Sequence, residues 1–200
     1  DGGGIDYITF SAGERQGFKF VQATEVEAQS VSGFEYSVGN GEWKSIPGDG
    51  LNDEVPFGGE LGTLRLRGIN LKGTNGARTV GFTNEVNVTC SGDIRTLIDY
   101  RHYKTVDTGS AKFSRLFLNC YSLTSAPKLP STKLAEGCYS DMFYSCESLT
   151  DAPALPATTL SKGCYENMFN GCKSLTNAPE LPATTLAECC YLLMFDGCSA

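Results

Sequence analysis

The sequence predicts an α+β chain in two parts: an antiparallel β-sandwich followed by a short α/β solenoid built from 26-residue repeats. Three observations carry that prediction. Residues 5–92 read as short alternating strands between turn residues. Residues 113–200 repeat one 26-residue motif, and a fixed period of that size marks units that bury their apolar faces only by stacking. The composition, 40% hydrophobic and 20% charged over 200 residues, suits a folded core. The expected boundaries are 1–92 for the sandwich, 93–112 for a junction and N-cap, and 113–200 for the repeats.

In the first part, Ile5-Asp6-Tyr7-Ile8-Thr9-Phe10, Phe18-Lys19-Phe20-Val21 and Phe34-Glu35-Tyr36-Ser37-Val38 alternate apolar and polar residues. Gly39-Asn40-Gly41 supplies residues that tolerate positive φ, and Glu42-Trp43-Lys44-Ser45-Ile46 returns the chain as a hairpin. Leu64 to Ile69, Val80 to Phe82 and Val86 to Cys90 complete six or seven short strands, the pattern of an Ig-like antiparallel sandwich. Gly48 to Glu54 reads as a loop whose carboxylates lack the regular ligand spacing of a calcium site. Trp43 and Tyr36 flank the hairpin turn; they are placed to stack on a sugar ring or to fill the sandwich core, and the core is the expectation.

At the junction, Ile94, Leu97 and Ile98 share a helical face and Asp93 stands where a cap belongs. Phe113 to Cys120 is a degenerate first copy of the repeat, with Lys112 in place of its first Cys. The block Cys138 to Cys146 then recurs as Cys164 to Cys172 and Cys190 to Cys198. Linking segments at Ser122–Leu134, Ser148–Leu160 and Ser174–Leu186 carry paired prolines, which stiffen an extended stretch and donate no ladder hydrogen bonds. Within each block, Cys164, Met168 and Cys172 fall four apart, with Tyr165 and Phe169 beside them, and the spacing predicts a short helix ended by Asn170-Gly171.

The nine cysteines do not read as a disulfide framework. On a helix, Cys138 and Cys146 lie about 12 Å apart along the axis, beyond the ~4.4–6.8 Å between Cα atoms that a disulfide spans. Metal spacings are missing too, with no CxxC and His102 as the single histidine. Buried free thiols are expected, with disulfides between adjacent rungs as the alternative, and no cofactor or metal is called for. Cys189, which replaces Gly137 and Gly163 of the other copies, and Cys90 are candidates for a reactive thiol; both are expected to be buried.

Met142-Phe143-Tyr144-Ser145-Cys146-Glu147-Ser148-Leu149, followed by Pro153-Ala154-Leu155-Pro156, resembles the BspA-like leucine-rich repeats of bacterial surface proteins. The Leu-Pro-Ala-Thr-Thr-Leu form at 155–160 and 181–186 is similar to a variant in surface lipoproteins of gut bacteroidetes, where it follows a small β-sandwich. The 26-residue period is longer than the usual unit of that family. The resemblance covers residues 113–200. It implies a leucine-rich-repeat solenoid in which a small side chain such as Cys fills an internal turn. It further implies export to the bacterial cell surface, peripheral membrane attachment through a removed N-terminal lipid anchor, and adhesion to a host or bacterial protein or to a glycan, without shared catalytic residues.

The net charge of -7 gives nucleic acid no basic surface to meet. Residues 1–92 hold 12 acids against 7 bases, and residues 93–200 hold 11 against 9, a balance read as solubility. No apolar run approaches the roughly 18 residues of a membrane span. The opening Asp1-Gly2-Gly3-Gly4 is read as the remnant of a removed export signal or as a ragged terminus. Motifs for phosphate, dinucleotide or serine-hydrolase chemistry do not occur. A hydrolase remains only as a reading built on His102 or on Asp151 and Glu180. Between copies the apolar positions repeat while others vary, notably Ser125/Asp151/Asn177 and Lys128/Ala154/Glu180. Thr124, Ser125, Lys128, Thr150, Asp151, Thr176, Asn177 and Glu180 are therefore expected to line one surface, either a binding face or an inert solvated one. The leading expectation is a non-enzymatic recognition module; the alternative is a spacer that projects a carbohydrate-binding sandwich. The last block predicts a longer chain, a symmetric contact between two such ends, or a fully packed final helix.

Overall fold

The computed structural model describes residues 4–199 and is predominantly antiparallel β-structure with almost no helix, consistent with a β-sandwich. The Asp1-Gly2-Gly3 opening and Ala200 lie outside the described residues. Among the described residues eight strands form: β1 (Ile8–Ala12), β2 (Gln16–Gln22), β3 (Phe34–Val38), β4 (Lys44–Ser45), β5 (Leu51–Phe57), β6 (Leu64–Gly68), β7 (Arg78–Phe82) and β8 (Val88–Ser91). One sheet has the order β4-β3-β6-β1-β8 and the other β5-β2-β7. Residues 51–54, read from sequence as part of a loop, instead belong to β5, which pairs with β2 across an irregularity between Phe18 and Phe20.

Period-two alternation does what it should in the sandwich. Ile8, Phe10, Phe18, Phe20, Leu64 and Leu66 point inward and are buried, while Arg65 and Arg67 stand on the outer face of β6. Arg78 is the exception, a buried cation that ties loops together. Its guanidinium donates to Gln22 Oε1 at 2.7 Å, to the Gln29 carbonyl at 2.7 Å and to the Gly48 carbonyl. The only α-helix among the described residues is α1 (Thr96–Asp99). Asp93 caps that turn, its carboxylate accepting the Arg95 amide at 3.0 Å.

The helices expected in the repeats do not form. From residue 114 onward the repeat blocks run through turns, with bonds from N–H to the carbonyl three residues back, as in Glu166 to Gly163 and Met168 to Tyr165, both 3.2 Å. A left-handed residue recurs every fourth position: Gly163, Asn167 and Gly171 have φ of 58°, 52° and 73°. Such a residue breaks α-helix propagation, and its own amide points outward. The outward amides bond to the next copy. Tyr165, Asn167 and Phe169 donate to the carbonyls of Cys190, Leu192 and Met194 at 3.0, 2.9 and 2.9 Å. A ribbon of turns repeats every four residues, as a helix nearly does, so the same side chains still share a face.

That face is the interior of the stacked coils. Cys138, Met142, Cys146, Tyr139 and Phe143 are buried, as are Cys164, Met168, Cys172, Tyr165 and Phe169. Phe117, Phe143, Phe169 and Phe195 form a column with ring centroids 5.3, 5.6 and 5.6 Å apart, and Tyr139, Tyr165 and Tyr191 form a second at 6.1 and 5.9 Å. Near-parallel rings at this spacing stack with an offset and bury both faces of each inner ring.

The first coil closes the open end of the sandwich. Both β7 and β8 are edge strands. The Val80 amide donates to Leu116 O at 2.7 Å, Val88 to Ser122 O at 2.8 Å, and Thr124 back to Val88 O at 2.8 Å. Edges that would otherwise invite foreign strands are thereby covered. Phe10 meets Phe117 edge-on at 6.2 Å, and a single hydrophobic core runs from Ile8 to Met194.

Candidate functional site

The prolines of the linking segments set an apolar groove on the surface. Ala126, Pro127, Leu129 and Pro130 of one coil face Pro153, Ala154 and Pro156 of the next across about 320 Å³. Proline supplies a stiff apolar wall without a donor of its own. Leu129 and Leu155 are buried beneath it and hold both walls to the core. Lys128 lies at the mouth, its ammonium 2.8 Å from Asp6 Oδ2, and that carboxylate raises its pKa.

The eight residues expected on one surface are distributed as follows. Thr124, Thr150 and Thr176 form a ladder: Thr124 Oγ1 donates to Val88 O at 3.1 Å, Thr150 Oγ1 to Thr124 O at 3.4 Å, and Thr176 Oγ1 to Thr150 O at 3.3 Å. Ser125 is half-buried and spent on the sandwich. Its hydroxyl donates to Cys90 O at 2.9 Å and accepts the Cys90 amide at 3.0 Å. Asp151 and Asn177 are exposed neighbours in a parallel bridge, and the one Thr150 hydroxyl proton is shared between Thr124 O and Asp151 Oδ2, the latter at 2.9 Å. Lys128 and Ala154 line the proline groove, whereas Glu180 is exposed one coil further on, outside its walls.

A second cluster went unread in the sequence. Arg67 lies between two rings, 4.1 Å from the Trp43 centroid and 4.4 Å from Tyr100, and Trp43 also packs on Tyr7 at 4.9 Å. Trp43 is thus on the outer sheet face and not in the core, because it directly precedes the short edge strand β4; Tyr36 packs against the core. The signal was available in Leu64-Arg65-Leu66-Arg67, whose period places both cations outside. Glu35 accepts from Arg67 Nε at 2.6 Å, so Arg67 is paired within the cluster, which braces β6 against the segment after α1.

His102 is exposed, its Nδ1 2.9 Å from Asp99 Oδ2, and this bond holds the Asp99 carboxyl below its ordinary value. All nine cysteines are unpaired. Cys120, Cys146 and Cys172 donate to the carbonyls of Val80, Phe117 and Phe143 at 3.2, 3.1 and 3.1 Å, tying each coil to the layer before it. Burial raises the thiols of Cys90, Cys120, Cys138 and Cys146 and pushes Cys172 up to about 12, which removes nucleophilic and metal-binding character. Cys189 departs from expectation. It is exposed because its left-handed backbone, with φ of 53°, points the side chain away from the core. Among the described residues no cluster of three or more His, Cys, Asp or Glu side chains is placed to hold a metal ion, and no helix is long and apolar enough to cross a membrane.

Comparison with protein-family models, with curated proteins and with solved structures finds no match for this chain.

Proposed function

We propose that the chain is a non-enzymatic recognition module of the BspA-like type. In this reading an Ig-like sandwich caps a leucine-rich-repeat solenoid, and the two act as successive domains of an exported protein on the bacterial surface. The proline groove between the first two coils is the binding face, and a host or bacterial protein is its ligand. One observation carries the reading: the groove walls are rigid and apolar, while the column that brings Lys128 and Ala154 to it, and Glu180 to the coil beyond, changes from copy to copy. A scaffold with an invariant interior and a varied rim is organised to recognise. An apolar cleft with few polar groups favours nonpolar peptide side chains over sugar hydroxyls, which need more donors and acceptors. The cavity lacks paired carboxylates or a nucleophile beside a base, which disfavours the hydrolase reading.

The test is to screen the intact chain on arrays of peptides and of glycans, then repeat with Ala154→Arg, which fills the groove from an exposed position. Loss of peptide binding in this variant supports the assignment. Peptide binding that survives Ala154→Arg refutes it. Glycan binding that survives Ala154→Arg but is lost in Trp43→Ala moves recognition to the sandwich and leaves the coils as a spacer.

A further inference from the structure

We propose that the seam between the sandwich and the first two coils carries a second binding site, for a neutral sugar. The cavity there measures about 320 Å³ and shares no lining residue with the proline groove. Its wall comes from three places in the chain. Thr24 and Glu25 belong to the loop after β2, Arg115 and Asn119 to the first coil, and Asp141 and Tyr144 to the second. Glu25, Arg115, Asn119 and Asp141 all have left-handed backbone, with φ of 61°, 61°, 58° and 54°. In the coils that conformation points a side chain away from the core, and here it brings three of them to one cavity. The backbone beneath is pinned. The amides of Arg115, Asn119 and Asp141 donate to the carbonyls of Ser140, Tyr144 and Glu166 at 3.0, 2.8 and 2.9 Å, and the Arg115 carbonyl accepts from Thr79 Oγ1 at 2.9 Å. The wall is therefore set before a ligand arrives.

The chemistry centres on Arg115. Its side chain is 27% exposed, and the Asp141 Oδ2 atom stands 3.8 Å from its guanidinium, too far for a hydrogen bond. A fork of donors is thus held beside a carboxylate with neither spent on the other. Ser140 Oγ donates to Asp141 Oδ2 at 2.9 Å and fixes that carboxylate in place. Adjacent hydroxyls of a sugar match the pair, one accepting from Arg115 and its neighbour donating to Asp141. Glu25, Asn119 and Thr24 extend the set with further acceptors and donors, and Tyr144 adds a ring face for the C–H side of the sugar.

Other ligand classes fit less well. Two acids against one base, Glu25 and Asp141 against Arg115, disfavour an anion. A guanidinium in the middle of the cavity disfavours a metal ion, and a polar wall gives a nonpolar side chain little to bury against. The coils themselves do not need this set. In the later copies the place of Arg115 is taken by Asp141, Asn167 and Leu193, and that of Tyr144 by Asn170 and Asp196, so Arg115, Asp141 and Tyr144 come together with Glu25 only at the seam.

The probes are the methyl glycosides of glucose, galactose, mannose and N-acetylglucosamine, each titrated at millimolar concentration into the intact, isotope-labelled chain under reducing conditions. Methyl glucuronide and glycylglycine serve as anionic and zwitterionic controls. A neutral glycoside should shift the amide resonances of Arg115, Asn119 and Asp141 saturably. Arg115→Gly keeps the left-handed backbone and removes the guanidinium; Asp141→Asn installs the residue that the third copy carries at 167. Each should weaken binding about tenfold or more while the rest of the amide spectrum stays in place. Ala154→Arg and Trp43→Ala should leave binding intact, which separates this site from the proline groove and from the outer sheet face. No saturable shift with any neutral glycoside overturns the proposal. So does binding that survives both Arg115→Gly and Asp141→Asn, binding lost in Ala154→Arg or Trp43→Ala, or tighter binding of either control.

Discussion

Left-handed backbone at every fourth position is what turns these repeats from helices into stacked ribbons, and a reciprocal pair of substitutions measures it. Gly137 has φ of 62°, and a Cβ added there meets nothing within 4 Å, so Gly137→Ala probes conformation without a clash. Cys189 occupies the equivalent place two copies later with φ of 53° and an exposed side chain, so Cys189→Gly removes no buried surface. A left-handed conformation costs an L-residue about 1–2 kcal/mol. Glycine returns about 0.4–1 kcal/mol of that through the greater freedom of the unfolded chain. The difference is about 1 kcal/mol, destabilising for Gly137→Ala and stabilising for Cys189→Gly. For a chain of this size that is a Tm shift of about 2–4 °C in each direction, resolved by calorimetry or urea titration. Shifts of the same sign, or none in either variant, would refute the reasoning. A helix would give another result, since Ala is its best former and Gly its poorest after Pro.

Three further outcomes follow from the core. Phe143→Ala empties the middle of the aromatic column, where the side chain is fully buried, and should lower stability by about 3–5 kcal/mol in denaturant titration; a loss under about 1 kcal/mol would mean the coils are loosely packed. In the native chain a thiol reagent should label about one cysteine rapidly, and Cys189→Ser should abolish that fast phase, because the other thiols are buried or half-buried. Stability should fall in alkali. The buried thiols of Cys90, Cys120, Cys138, Cys146 and Cys172 stay protonated in the fold, whereas in the unfolded chain they ionise near pH ~8.5. Their contribution is therefore complete below about pH 8.5 and is lost as pH rises toward their folded values, at up to about 1.4 kcal/mol per pH unit for each thiol. A Tm that does not change between about pH 8 and pH 10.5 would show that these thiols are not held neutral by burial.

Much of the sandwich was legible because a strand's period of two has no competitor. Ile8 and Phe10, or Leu64 and Leu66, sort to one face however the sheets are later arranged, and Gly39-Asn40-Gly41 marks its own hairpin. The repeat was equally plain as a period, and its interior residues were identified correctly. Their secondary structure was misread because a four-residue spacing of Cys164, Met168 and Cys172 fits both a helix and a ribbon of turns. The deciding sign was the Gly, Asn, Asp or Ser at every fourth position between them, in particular Gly137-Asp141-Ser145 and Gly163-Asn167-Gly171. Cys189 and Leu193 then follow the ribbon against their own preference, because bonds to the coil beneath hold the backbone in place.

By itself, then, the sequence determined the 26-residue period, the inward set of side chains and the antiparallel character of the first 92 residues, since these depend on local alternation and repetition. Only the tertiary structure decided that Ser125 serves the sandwich, that Trp43 lies outside the core over Arg67, and that prolines of two different coils meet in one groove. It also decided that the first coil seals β7 and β8. Those features arise from which edge faces which coil and in which direction the amides point, and neither is written in the spacing of residues along the chain.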